Sequence, residues 1–213
     1  VAVARRLCEL IVTADFWATL GFTFSRISLG FLLALALAGI LAALSAAVPF
    51  IETLLRPYVA AIQSVPVASF IVIAFLWLSA RRLSTFIAFL MVFPVLYTNL
   101  LQGIRAADRE LLEMAEVFRI PAARRVRCIY LPAVRAPLFA ACRVALGLCW
   151  KAGVAAEVIG VAAGTVGGRL YDAKAYLEIA DLFAWTVVIV AVSAAFERVF
   201  LFLLRKLFDA LER

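Results

Sequence analysis

The chain reads as an all-α membrane protein, a polytopic transmembrane helical bundle with about five spanning helices. Three observations predict this. Of its 213 residues, 67% are hydrophobic and 16% charged, and mean hydropathy is +1.07; a soluble domain is nearer half apolar and about a quarter charged. Apolar segments long enough to cross a hydrocarbon core of about 30 Å recur along the chain. A single long charged island, residues 108–132, interrupts them with the spacing of an amphipathic helix.

Residues 1–16, with Arg5 and Arg6 ahead of the apolar Leu10-Ile11-Val12, read as an interfacial helix rather than a targeting segment. The first span is expected over about 17–48. Gly30, Ala34, Ala38, Ala42 and Ala46 stand four apart along it, a small-residue stripe that lets another helix approach closely. Arg26, near its start, is expected to snorkel to the interface. A second segment over about 57–80 contains Gln63-Ser64-Val65-Pro66. Pro66 frees backbone carbonyls there, and two readings stay open: a packing kink, or a break beside a water-lined cavity.

The third span, about 83–103, carries Pro94 and the polar pair Thr98-Asn99. Asn99 is expected to hydrogen-bond across helices, because an unpaired amide in lipid is costly. The fourth span, about 133–163, follows Pro132, carries Pro137 and holds Arg143, Lys151 and Glu157. Lys151 and Glu157 are six positions apart and so point roughly 120° from each other. They do not pair on one helix face, and each needs a partner elsewhere. Either they serve a permeation path, or they form structural ion pairs between helices or subunits. Arg143 is expected to lie near enough the interface to snorkel. Gly164-Thr165-Val166-Gly167-Gly168 reads as a turn; it lacks the Lys-Ser/Thr ending and the preceding strand of a phosphate-binding loop. A polar stretch then leads to a fifth span over about 182–204.

Within the charged island, Leu111, Met114 or Ala115, and Phe118 recur at helical spacing, while Arg109, Glu113 and Glu116 fall elsewhere on the circle. Pro121 disfavours a helical conformation at Ile120 and is expected to end the helix there. It also suits the first turn of a second helix carrying Arg124, Arg125 and Arg127. With five spans and the island inside, Arg56, Arg105, Arg109, Arg119, Arg124, Arg125, Arg127, Arg135, Arg205, Lys206 and Arg213 face the cytoplasm. Arg5, Arg6, Arg81, Arg82, Arg169 and Lys174 face outward, a bias that obeys the positive-inside rule. That rule explains the net charge of +7 better than nucleic-acid binding does, because no basic patch interleaves with exposed aromatics.

Several function classes are excluded by composition. The chain has no histidine, which removes His-based triads, His metal sites and imidazole proton relays. Its four cysteines, Cys8, Cys128, Cys142 and Cys149, show no C-x-x-C pairing. Lys151 has no serine one or two turns away on its helix, and no cluster of catalytic aspartates exists. No catalytic residue, metal or cofactor is expected.

Glu113-x-Ala115, the six-residue step to Arg119, and Ile129-x-Leu131-Pro132 together resemble the EAA loop of ABC-importer permease subunits. The family pattern is Glu-Ala-Ala, three residues, Gly, nine residues, Ile-x-Leu-Pro. The spacing is intact, with Met114 at the second position and Arg119 at the glycine, where arginine lacks glycine's freedom to take positive φ. The Pro66 stretch with its apolar run to Trp77, and the Gly164–Gly168 turn, resemble the sulfonate, taurine and nitrate permeases, whose relatives also carry thiamine precursors.

The resemblance extends over about 17–206 and implies a type I importer permease of MetI-like fold. It implies a transmembrane domain over 17–213, following the interfacial helix 1–16, with a cytoplasmic coupling loop over 105–131. It also implies a separate cytoplasmic ATPase dimer as partner, a second permease copy forming a homodimer, and an extracytoplasmic substrate-binding protein. The setting would be the bacterial cytoplasmic (inner) membrane. Permeases of this kind carry one more helix before the first span here, and an opening at Val1 without Met fits that expectation. ATPase coupling falls to Glu113, Ala115, Glu116, Phe118, Arg119, Leu131 and Pro132, with Glu113 facing a basic residue and Phe118 an apolar pocket. A path for a small polar or anionic solute falls to Gln63, Ser64, Asn99, Lys151 and Glu157. The competing class is an ion-coupled secondary transporter using Lys151 and Glu157 as a charge relay. Such proteins often carry internal repeats, and none is evident here. ATP dependence separates the two.

Overall fold

The computed structural model describes residues 2–211, and all regular structure among them is helical. Helix α1 spans Ala2–Ile11 and α2 spans Ala14–Ala47. Thr13 caps α2 by accepting the Phe16 N–H on its hydroxyl at 3.3 Å. Helix α3, Pro49–Ser64, begins with a proline, where the missing N–H has no intrahelical partner to lose. Helices α4, Val67–Phe75, and α5, Ala80–Arg105, follow. The charged island forms α6, Arg109–Val117, and α7, Ala122–Arg125. Through a π turn, Val126–Tyr130, the chain passes into α8, Leu131–Ile159. Helices α9, Val166–Ala175, and α10, Ile179–Leu211, complete the fold.

Among the described residues, four helical stretches are long and apolar enough to cross a membrane: α2, α5, the continuous rod Ala122–Ile159, and α10. Helices α3 and α4 together make a fifth candidate, bent by 102°. The bounds expected for the second segment, about 57–80, are therefore corrected. Helix begins already at Pro49 and breaks sharply at Pro66. Val65 adopts the extended conformation preferred before proline, with φ −85° and ψ 133°, and Pro66 has no N–H to carry the ladder onward.

Helix α5 lies at the centre, packed between α2 and α8. The small stripe of α2 does what its spacing predicts. Gly30, Ala34, Ala38 and Ala42 are buried, and a Cβ on Gly30 would stand 3.0 Å from the Ala88 Cβ of α5, so the two backbones approach closely. Aromatic rings complete the core: Phe31 of α2 meets Phe200 of α10 edge-on with centroids 4.9 Å apart, and Trp150 of α8 meets Phe196 at 6.4 Å.

The cross-helix hydrogen bond expected of Asn99 belongs to its neighbour instead. Tyr97 OH donates to Ser45 Oγ of α2 at 2.9 Å in the buried core. Asn99 Nδ2 donates to the Val95 carbonyl of its own helix at 2.8 Å, which gives the amide a partner without a second element.

Ion pairs gather at the two ends of the bundle. At the end carrying α6, Arg105 pairs with Glu52 and Arg135 with Asp209. At the opposite end, Arg6 pairs with Asp181 and Arg169 with Asp15. Asp181, and then Glu9, hold the Arg6 guanidinium pKa above its ordinary range. These contacts tie α1 to α10 and α9 to α2. Leu7 and Leu10 of α1 also pack beside Phe16 and Trp185, so its apolar face meets the bundle.

Candidate functional site

Two constellations stand out, a buried carboxyl at the far end of α8 and the α6 segment at the opposite end. Glu157 is fully buried. Its Oε2 accepts the Thr23 hydroxyl of α2 at 3.0 Å and the Gly167 N–H of α9 at 3.1 Å. Thr23 Oγ1 in turn accepts the Val166 N–H at 2.9 Å. Thr165 caps α9, accepting the Gly168 N–H at 3.0 Å while donating to the Ala162 carbonyl at 2.7 Å. Three of the orphan donors at the α9 N-terminus are thereby satisfied by two threonines and one carboxyl. Glu157 Oε1 makes no hydrogen bond of good geometry among the described residues, and Ser84 of α5 lies beside the carboxyl group. The glycines are required by proximity: a Cβ on Gly167 would stand 2.8 Å from the Val158 nitrogen.

The turn that brings α9 back onto Glu157 is closed without glycine. Val161 takes φ +46°, the Ala162 N–H bonds the Glu157 carbonyl at 3.0 Å, and the Val161 N–H bonds the Val158 carbonyl at 3.3 Å. This is a Schellman closure with a β-branched residue in the left-handed position. Gly164, at φ +72°, then completes the turn read from the sequence. Thr165, a hydroxyl residue directly before the apolar Val166, is the signal that marks the α9 cap. Thr23 and Ser84 carry no such signal, because only the fold brings them to Glu157.

The α6 segment is built from the same devices. Asp108 caps it by accepting the Glu110 N–H at 2.9 Å. The helix ends at Val117, earlier than the expected stop at Ile120, because Arg119 takes φ +50°. The Ile120 N–H reaches back to the Ala115 carbonyl at 2.8 Å and the Arg119 N–H to Glu116 at 3.0 Å. Arg119 therefore adopts the conformation that the glycine of the pattern would take freely.

Of the predicted coupling residues, Ala115 is buried, whereas Glu113, Glu116, Phe118 and Arg119 are exposed. Phe118 is 72% exposed and Val117 79%. Leu111 and Met114 share that outward side, so the helix presents an apolar row away from the bundle. Leu131 packs against the main core and Pro132 is exposed. The π turn before them fits the motif's Leu-Pro end: Pro132 cannot donate to the Cys128 carbonyl, and in a regular α-helix its ring would clash with it. The ladder widens there, with the Leu131 N–H bonding the Val126 carbonyl.

The predicted path residues do not form one cluster. Gln63 and Ser64 are exposed beside the α3–α4 break, and Asn99 is half-buried. Lys151 is exposed on α8, whereas Glu157 is enclosed by α2, α5 and α9. Lys151 makes no ion pair among the described residues. Arg143 lies 3.9 Å from Glu197 of α10.

Residues 16–213 match the family described as binding-protein-dependent transport system inner membrane component. The chain is 28% identical over 194 residues to the putative aliphatic sulfonates transport permease protein of Bacillus subtilis, covering 90% of this chain and 70% of that protein. It is 28% identical over 107 residues to the bicarbonate transport system permease protein of Synechococcus elongatus, 50% of this chain and 38% of the other. A probable ABC transporter permease protein of Brucella melitensis is 26% identical over 190 residues, 89% of this chain and 77% of that one. With the family match covering nearly the whole bundle, the chain belongs to the binding-protein-dependent transport system inner membrane components, the multi-pass permease subunits of ABC importers.

Proposed function

We propose that this permease carries a small anion across the bacterial inner membrane, driven by a separate ATPase that docks on α6 and supplied by an external binding protein. The observation that carries the proposal is the apolar row Leu111, Met114 and Phe118, left exposed on a helix with a capped start and a closed end. A solvated loop has no reason to hold large apolar side chains outward in a fixed frame, whereas a groove on a partner does. Glu113 and Glu116 flank the row and suit basic groups on that partner. Rigid-body movement of the ATPase halves would reach the spans through α6 and through the rod that begins at Ala122.

An anionic solute is supported by the substrates for which the relatives are named, aliphatic sulfonates and bicarbonate. Lys151, an exposed cation in a spanning helix with no acidic partner among the described residues, fits the same chemistry. The exposed side of α8 also carries the small residues Ala136 and Ala140, a surface suited to a second copy of the chain across a two-fold axis. Gln63 and Ser64 at the α3–α4 break and Asn99 would add polar lining. Glu157 would act on the path indirectly, by fixing α9 over its extracytoplasmic end. The interfacial placement of α1 belongs to the same reading.

The test is uptake of a sulfonate or bicarbonate into vesicles holding the full-length permease, its ATPase and its binding protein. Uptake that needs ATP inside and survives collapse of ion gradients supports the importer. Uptake that follows a proton or sodium gradient without ATP supports ion-coupled transport instead.

A further inference from the structure

Between α2 and the start of α5 runs an open cleft of about 670 Å³. Arg26, Arg81 and Arg82 stand at its mouth, at the end of the bundle opposite α6. Below them the walls are apolar, with Leu29, Leu33 and Leu37 from α2 and Phe86 and Phe89 from α5. Because both helices descend from the same end, the cleft runs inward along the bundle. The step from Arg26 to Leu37 spans roughly 16 Å at about 1.5 Å per residue, half of a hydrocarbon core about 30 Å thick.

The buried Glu157 carboxyl acts on Arg26 through space, without an ion pair. Arg26 donates to the Arg81 carbonyl and lies 3.7 Å over the Phe22 ring. None of the three forms an ion pair with an acidic residue among the described residues. Cations clustered at one end of an apolar groove of one-leaflet length match one chemistry closely, an anionic headgroup joined to an acyl chain.

We infer that this cleft binds an anionic phospholipid of the outer leaflet, its phosphate held by Arg26, Arg81 and Arg82 and its acyl chain laid against Leu29, Leu33, Leu37, Phe86 and Phe89. A small hydrophilic anion accounts for the arginines and leaves the apolar walls unexplained. A second copy is disfavoured by symmetry: a two-fold contact through this surface sets its own arginines against the partner's. The bound lipid would brace α2 against α5 and would partly neutralise the cluster.

The experiment is a lipid titration of the full-length protein by native mass spectrometry, comparing phosphatidylglycerol with phosphatidylcholine of identical acyl chains. Phosphatidylglycerol is expected to bind at least about 30-fold tighter. At roughly a fivefold effect per basic residue near a charged surface, Arg81→Gln with Arg82→Gln should weaken it about 30-fold and leave phosphatidylcholine binding unchanged. Leu33→Ala with Leu37→Ala, which keeps every arginine, should weaken phosphatidylglycerol binding as well, so the proposal stays testable if the glutamine variant fails to fold. Equal affinity for the two lipids would overturn it. So would full competition by glycerol phosphate lacking acyl chains, which would mark a free-anion site, or efficient cross-linking between copies through Leu33→Cys.

Discussion

Glu157 Oε2 accepts the Gly167 N–H at 3.1 Å, joining the end of α8 to the first turn of α9. The same oxygen accepts the Thr23 hydroxyl from α2, so a single buried carboxyl holds three elements in register at the end of the bundle away from α6. Glu157→Ala strands both donors, and each buried group left unpaired costs about 1–3 kcal/mol. Thermal unfolding in detergent should show a loss of at least about 2 kcal/mol. Glu157→Gln retains a carbonyl oxygen for both donors and should lose less than half as much. A glutamine variant as unstable as the alanine one contradicts the hydrogen-bond account.

Arg119 holds φ +50°, a conformation that costs a non-glycine residue about 1–2 kcal/mol. Arg119→Gly should therefore stabilise the α6 closure by up to about 1 kcal/mol, read as slower amide hydrogen exchange at Phe118 and Ile120. Faster exchange at these amides would mean that the arginine side chain contributes a contact that outweighs the strain.

Tyr97 and Ser45 form a buried side-chain hydrogen bond between α5 and α2. Tyr97→Phe leaves Ser45 Oγ without this donor, and interhelical hydrogen bonds in membranes average about 0.6 kcal/mol with a ceiling near about 1.7. A loss in that range is expected on unfolding, with Ser45→Ala recovering part of it in the double variant. Strictly additive losses would show that the two groups do not interact.

Much of this was legible in the sequence because it rests on local chemistry. The small stripe of α2, the interruption at Pro66 and the turn at Gly164 each follow from residues a few positions apart. What was hidden depends on residues far apart in the chain. Thr23 and Glu157 are separated by 134 positions, and no periodicity joins them. The helix ends at Val161 and Leu177 were also silent, since each places a bulky residue at positive φ where glycine is the usual signal. Asn99 misled for a related reason: being polar in a span predicts a partner, and its own helix supplied one.

Lys151 is exposed on a spanning helix. In reconstituted vesicles, Lys151→Gln should lower anion uptake about fivefold, the scale of one charge contact in a wet path, with basal ATPase rate unchanged and Lys151→Arg largely active. Full uptake by the glutamine variant removes Lys151 from the path.

The central claim is that α6 is the ATPase-docking element, and co-purification of the full-length permease with its ATPase tests it most directly. The wild type should retain the ATPase. Glu113→Lys with Phe118→Asp should lose it by at least about 30-fold, the scale of one interface hot spot of about 2 kcal/mol, while the permease itself stays folded because both side chains are exposed. A variant that binds the ATPase as tightly as the wild type would contradict the account and leave the apolar row of α6 without its proposed partner.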